Sequence, residues 1–367
     1  MSFRDFIKKY QQLDFQQTFQ DITPQRVETA IYKDNPNFRD FLAMLSPAAE
    51  NYLEEMAQKA NQLTTNFFGK AIVLYAPIYV SDHCDNNCLY CAFKVDNQFQ
   101  RTTLSLEEVE QEAQAISHTG LRHILLLTGE SKPHAPLDYI EKCIDILKKY
   151  FSSIAIEIYP LTAKEYKQLI DNEVDGLTIY QEVYDEDIYQ QVHKSGPKRD
   201  YDFRLLAPER SLQMGMRRVN IGALFGLGPW RQEAFFTGLH AWYLLNHYPE
   251  AEISISFPRL RPFADETLEY YRVADKNLVQ MIVATRIFLH SVGINISTRE
   301  SPDLRENLLP LGVTRMSAGA KTAVGSYSGV ENSESQFHTA DERSVVEIKG
   351  MLINNGYQPV LKDWELI

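Results

Sequence analysis

Cys84, Cys88 and Cys91 lie in the stretch Ser81-Asp-His-Cys-Asp-Asn-Asn-Cys-Leu-Tyr-Cys-Ala-Phe93 and account for three of the four cysteines in the chain. Their C-x3-C-x2-C spacing puts three thiolates on one short loop, directly after a β-branched apolar run. Three soft ligands so close together suit a soft metal centre, either an iron–sulfur cluster or zinc. A saturated structural site takes four ligands. The remaining cysteine, Cys143, falls at helical spacing within Tyr139-Ile-Glu-Lys-Cys-Ile-Asp-Ile-Leu147 and reads as core. The pattern therefore points to a [4Fe–4S] cluster held at three irons, with the fourth open to another ligand. A zinc knuckle completed by His83 or a distant histidine, and a group of unligated thiols, are the alternatives.

Such a loop needs a frame. Up to about residue 70 the chain reads as helices: Pro24 to Lys33, ended by Asp34-Asn35-Pro36, and then Phe38 to Gln62. Beyond it, short β-rich runs alternate with helical ones. The candidate strands are 71–80, 123–128, 154–159, 176–181, 218–223, 252–257, 293–297 and 314–317. The stretches Ser105–His118 and Pro136–Tyr150 have amphipathic helical spacing, and Ser105 with Glu108 forms a capping-box pattern. Strands alternating with helices imply parallel βαβ units. The expected fold is α/β, a (β/α)8 TIM-like barrel over 71–320, with a helical extension over 1–70 and a C-terminal loop and helix over 321–367. A six-stranded partial barrel is the second choice. Residues 326–343, rich in Ser, Glu and Asn, read as an exposed loop before a last helix, Ser344–Asn355.

In such barrels chemistry gathers at the C-terminal ends of the strands. Those ends carry the cysteine loop, Leu127-Thr-Gly-Glu-Ser131, Tyr180-Gln-Glu182, Gly222-Ala-Leu-Phe-Gly-Leu-Gly228, Ser254-Ile-Ser-Phe-Pro-Arg-Leu-Arg-Pro262, Ser297-Thr-Arg-Glu300 and Ser317-Ala-Gly-Ala320. A purely structural barrel would place polar and glycine residues there less consistently.

The cysteine loop, with Tyr90 just before its third cysteine, resembles the radical S-adenosylmethionine (SAM) superfamily. In that family the open iron chelates the amino and carboxylate groups of SAM, and one electron cleaves it to a 5′-deoxyadenosyl radical. Thr128-Gly129-Glu130 looks like the superfamily's GGE motif, whose backbone and acid hold the SAM amino group; threonine replaces the first glycine here. A carboxylate suits an ammonium donor, and glycine lets backbone come close. Glu182 and Arg204 resemble the pair that meets the ribose hydroxyls and the SAM carboxylate. Gly222, Gly226 and Gly228 do not form a dinucleotide fingerprint; they read as letting backbone pass close to adenine.

Within that superfamily the chain resembles the aromatic-amino-acid lyases, above all the tyrosine-cleaving branch that makes dehydroglycine (2-iminoacetate) for the thiazole of thiamine. The likeness rests on Tyr180-Gln-Glu182, His193-Lys-Ser-Gly-Pro-Lys-Arg-Asp-Tyr201, Ile255–Pro262, Ser297–Ser301 and Leu311-Gly-Val-Thr-Arg-Met-Ser-Ala-Gly319, and covers about residues 25–360. A sister branch, which matures [FeFe]-hydrogenase, adds a cysteine-bearing C-terminal extension; no cysteine follows Cys143 here. The implied reaction removes hydrogen from the amino nitrogen of tyrosine and breaks Cα–Cβ, giving dehydroglycine and p-cresol. Its carboxylate needs a fixed cation, for which Arg259 and Arg261 are the candidates, with Ser256 adding a hydrogen bond and Tyr180 lining the cavity. Charge-assisted hydrogen bonds of this kind contribute about 1.5–3 kcal/mol each. His193 is open to proton relay or to packing. A lyase acting on tryptophan or another aromatic substrate, and a zinc-stabilised binding module, are the competing readings.

Composition narrows the partners. Thirty-seven basic against 49 acidic side chains give a formal charge of −12, with no long basic run, so nucleic acid and anionic membranes are poor partners. The best apolar run is broken by Pro77, too short to span a bilayer. The first ten residues lack the features of a signal peptide. With no disulfide framework, a reducing, cytoplasmic setting is expected. The resemblance implies L-tyrosine as the small-molecule substrate, a reductant such as flavodoxin or ferredoxin, and hand-over of product to thiazole synthase.

Overall fold

The computed structural model describes residues 2–260, 270–329 and 334–362. Eight parallel strands form its centre: β1 (Ala71–Ser81), β2 (His123–Thr128), β3 (Ser153–Glu157), β4 (Gly176–Thr178), β5 (Arg218–Gly222), β6 (Glu252–Ser256), β7 (Gly293–Ile296) and β8 (Arg315–Ser317). They neighbour one another in chain order. The ring closes because β1 pairs with β2 on one side, Ala76 opposite Ile124, and with β8 on the other, Leu74 opposite Met316. This is the expected (β/α)8 barrel; the six-stranded alternative falls with the closure. The strands are short, rich in Ile, Val and Leu, and largely buried, as strands covered on both faces must be.

Helices follow most strands and wrap the outside. The one after the cysteine loop, Leu106–Ser117, is capped as its sequence suggests, with Ser105 Oγ accepting from the Glu108 amide at 3.3 Å and the Glu108 carboxylate accepting from the Ser105 amide at 2.7 Å. Before the barrel, the expected helix from Phe38 to Gln62 is broken in two, Phe38–Leu45 and Leu53–Phe68, by a 3-10 turn over Pro47–Tyr52. Pro47 has no amide hydrogen to give, and the residue before a proline is pushed out of helical geometry; Ser46 sits at φ −68°, ψ 162°. Both pieces pack on the helix Asp275–Phe288, which connects β6 to β7 in the chain. There Phe41 stacks on Phe288 with ring centres 4.5 Å apart.

Two features depart from expectation. A ninth strand, β9 (Gln358–Val360), pairs in parallel with the first residues of β1, Ala71 opposite Gln358. It is three residues long and holds a proline, which sheet edges tolerate and pattern reading rejects. The segment read as an exposed loop also turns inward. Thr298 O accepts from the amides of Ala340 and Asp341, and Tyr79 donates to Gln336 Oε1 at 2.7 Å. Asp341 is fully buried between Arg305 and Arg343, which ties this stretch to the last strands of the barrel.

Candidate active site at the mouth of the barrel

β1 delivers the cysteine loop to the C-terminal mouth. The loop is fixed by backbone pairing: the Asp85 amide donates to Glu130 O (3.1 Å), the Asn87 amide to Ser195 O (3.0 Å) and the Leu89 amide to Val192 O (3.0 Å). Cys84, Cys88 and Cys91 all line one small cavity, together with Gly129, Glu130, Glu182 and Arg204. Burial pushes their thiols up, Cys91 to about 12, so a cationic centre is what would draw the protons off. Among the described residues no three His, Cys, Asp or Glu side chains converge as they would on a single metal ion. Three sulfurs lining one cavity are a donor set that a [4Fe–4S] cluster would take, each on a different iron. His83 stacks on His134 at 3.9 Å instead of turning to the thiols. His193 is buried and pushed down to about 2 by burial and then by Lys198. Both its ring nitrogens are engaged, with Tyr90 Oη at 2.8 Å and Tyr189 O at 2.8 Å, so it packs and positions Tyr90.

Next to the thiols lies a set of four charges, Glu182, Lys198 and Arg204 buried and Glu130 largely so. Arg204 donates to Glu130 at 2.8 Å and approaches Glu182 at 3.5 Å, while Lys198 meets Glu182 at 2.7 Å and Glu130 at 3.5 Å. Burial pushes both carboxyls up, but Arg204 and Lys198 outweigh it and hold them below the usual range. Two acids and two cations out of water complement a zwitterion, which is the charge pattern of an amino acid head group. Asn86 links this set to the cysteine loop, donating to Glu130 at 3.1 Å and accepting from the Lys198 amide at 2.8 Å. Glu182 holds a left-handed backbone, φ 70°, rare for a side-chain-bearing residue, and its carbonyl accepts from the Leu224 amide at 2.7 Å.

Gly129 donates to Ser81 O at 2.7 Å, and a Cβ there would overlap the His83 carbonyl. Gly129→Ala is therefore expected to displace the cysteine loop, lowering the melting temperature by a few degrees and weakening SAM binding by about tenfold, as overpacking costs about 1–3 kcal/mol. Calorimetry and equilibrium binding check both. At Gly222 a Cβ would stand 2.6 Å from Ser256 O and 3.1 Å from the Tyr180 ring, so a side chain there would have to displace β6 or Tyr180.

Beyond the charges a cavity of about 430 Å³ fills the mouth, lined by Tyr75, Tyr79, Tyr180, Ser256, Glu157 and Arg299 among others. Ser256 Oγ is 2.9 Å from Asn220 Nδ2. Arg259 is not in this lining. Its guanidinium forks onto buried Glu300 and also meets Asp275 (2.8 Å) and Val273 O (2.9 Å). Arg259, expected to meet the substrate carboxylate, is thus paired within the protein in this structure; Arg261 lies outside the described residues. Two cations among the described residues do line the cavity: Lys198, paired with Glu182, and Arg299, on the loop after β7, with its guanidinium 3.5 Å from the centre of the Phe337 ring. Reading from sequence passes over Arg299, Lys198 and Glu157. Each lies at a strand end or in a stretch already noted, and what distinguishes it is who neutralises whom.

A family model described as the Radical SAM superfamily matches residues 78–233, and one described as the Biotin and Thiamin Synthesis associated domain matches 256–358. The chain is 37% identical over 340 residues to a 2-iminoacetate synthase of Salmonella typhimurium, covering 92% of this chain and 90% of that one. It is 36% identical over 366 residues to a 2-iminoacetate synthase of Escherichia coli, covering 99% and 97%. Among solved structures, HydG, a maturase of the [FeFe]-hydrogenase, superposes with a TM-score of 0.86 at 29% identity over 98% of this chain and 79% of that one. Methylornithine synthase shares the fold at 19% identity, with a TM-score of 0.75. No helix among the described residues is long and apolar enough to cross a membrane.

Proposed function

The chain belongs to the 2-iminoacetate synthase family of radical SAM enzymes, and from this premise we propose that it cleaves the Cα–Cβ bond of L-tyrosine to 2-iminoacetate and p-cresol. The observation that carries the reading is 36–37% identity over nearly the whole chain to synthases of that name, in a chain whose three-thiol cavity shares lining residues with a larger one. Cys91, Leu127, Glu157, Glu182, Lys198 and Gln336 line both cavities and form the seam between them. A [4Fe–4S] cluster and SAM, when bound, supply a 5′-deoxyadenosyl radical by one-electron cleavage of the sulfonium.

The residues divide this work. Cys84, Cys88 and Cys91 would each take one iron. Glu130 would hold the ammonium of SAM and Arg204 its carboxylate, while Glu182, kept ionised by Lys198, would accept from the ribose hydroxyls. Tyr90, with its hydroxyl on His193, lines the larger cavity next to Cys91 and would face the substrate. Arg299 would fix the tyrosine carboxylate, with Ser256 and Tyr180 beside it; Arg259 positions that loop through Glu300. The product is an imine that water hydrolyses, so delivery to thiazole synthase in the thiamine pathway fits its chemistry, and a low-potential donor of the flavodoxin or ferredoxin kind would supply the electron.

Anaerobic reconstitution followed by incubation with tyrosine, SAM and reductant tests this. The expected result is about four irons per chain, 5′-deoxyadenosine, and p-cresol from tyrosine. Skatole-type products from tryptophan alone would replace the substrate, and stoichiometric zinc with no charge-transfer absorbance would remove the cluster.

A further inference from the structure

Removal of hydrogen from an amino nitrogen requires the amine to be neutral, because an ammonium has no lone pair to stabilise the radical left behind. Free tyrosine carries its amine as ammonium at neutral pH, so some group in the site must take a proton. The amine must also lie at the seam, within reach of the radical made beside the thiols, while the carboxylate and ring extend into the larger cavity. Of the six seam residues, four are ionisable: Cys91, which belongs to the ligand loop, and Glu157, Glu182 and Lys198. Glu182 and Lys198 neutralise each other at 2.7 Å. Glu157, the last residue of β3, lines the same space, and among the described residues its carboxylate is in no hydrogen bond or direct ion pair, although Arg299, Lys198 and Arg204 act on it from farther off.

We infer that Glu157 faces the amino nitrogen of the substrate and accepts one proton from its ammonium form; this rests on the reading of the substrate as an α-amino acid. The N–H bond breaks heterolytically and leaves its electron pair on nitrogen. An O–H bond forms on the Glu157 carboxyl, and the neutral amine keeps two hydrogens, one of them available for homolytic removal. The incoming ammonium is also the partner that the carboxylate lacks.

The surroundings favour this assignment. Burial first, and then Glu182, push the Glu157 carboxyl up to about 7, against the pull of Arg299, Lys198 and Arg204. The other ionisable groups facing it are the phenols of Tyr75 and Tyr79 on β1 and of Tyr180 after β4, all pushed up by burial and therefore neutral. A base with its proton affinity near the working pH suits proton transfer, whereas Glu130 and Glu182, held low by their cations, do not.

The test uses reconstituted enzyme with Glu157→Gln and Glu157→Asp. In the parent, kcat/KM for p-cresol formation is expected to fall as pH drops through about 7, as the carboxylate becomes protonated. Glu157→Gln is expected to lose that acid limb and to be about 10²- to 10⁴-fold slower, with partial recovery in Glu157→Asp. Equilibrium binding supplies a second readout: Glu157→Gln weakens L-tyrosine by about tenfold or more, but leaves 3-(4-hydroxyphenyl)propanoate, which has no amine, within about twofold. Equal weakening of both ligands would place Glu157 at the phenol or in the fold and overturn the inference. An unchanged acid limb in Glu157→Gln would overturn it as well. A parent that makes no p-cresol at all would instead remove the substrate reading, a separate failure.

Discussion

Cys88→Ala is expected to give a protein that melts close to the parent and produces neither 5′-deoxyadenosine nor p-cresol. The cysteine is buried, and its loop is held by backbone hydrogen bonds to Glu130, Ser195 and Val192, none of which uses the sulfur. Exchanging a thiol for a methyl group should therefore cost about 1 kcal/mol of stability. Chemistry has no such margin. With two thiolates the iron centre loses a corner, and the cofactor loses the electron source it must touch. Iron content, the cluster's visible absorbance and product analysis measure the loss. Retained deoxyadenosine formation would contradict the three-thiol assignment.

Arg299→Ala should lower kcat/KM for tyrosine by about 10²- to 10⁴-fold while SAM affinity stays within about twofold. Two charge-assisted hydrogen bonds to a carboxylate are worth about 1.5–3 kcal/mol each, and each 1.4 kcal/mol is a factor of ten. Burial lowers the proton affinity of Arg299, and Tyr79, Tyr180, Glu182 and Glu157 draw it back, so the side chain stays a cation in a water-poor cavity. Arg259→Ala should behave differently. Taking the guanidinium away from buried Glu300 costs about 3–5 kcal/mol of stability, seen as a lower melting temperature without selective loss of tyrosine binding. Should Arg259→Ala keep its stability and lose tyrosine alone, the two arginines would exchange roles.

The contrast between these arginines marks how far sequence reading reaches. The cysteine spacing, the eight strands and the polar strand ends are local patterns, and local periodicity sets them; β1, β2 and the capped helix after the loop lie where their residues put them. Arg259 and Arg299 look alike in sequence, since each follows a strand of the barrel. What separates them is a pairing across 41 positions, Arg259 with Glu300, which only the closed ring brings about. Lys198 was hidden for the same reason: its partners Glu130 and Glu182 come from two other strand ends. Glu157 had a usable signal, a lone acid ending an otherwise apolar strand, but its lack of a partner is a fact of three dimensions. The inward turn of the segment around Gln336 escaped because a Ser-, Glu- and Asn-rich composition says solvent, while its anchors are the hydroxyl of Tyr79 and the carbonyl of Thr298.

The strand that carries the cysteine loop has neighbours from both later ends of the chain: β2 along its upper half, β8 along its middle and β9 at its base. During synthesis the three thiols leave the ribosome long before residues 315–317 and 358–360 exist. For most of its translation the loop thus sits on a ring that has not yet closed. The frame that holds the loop in place is therefore complete only after nearly the whole of these residues has been made.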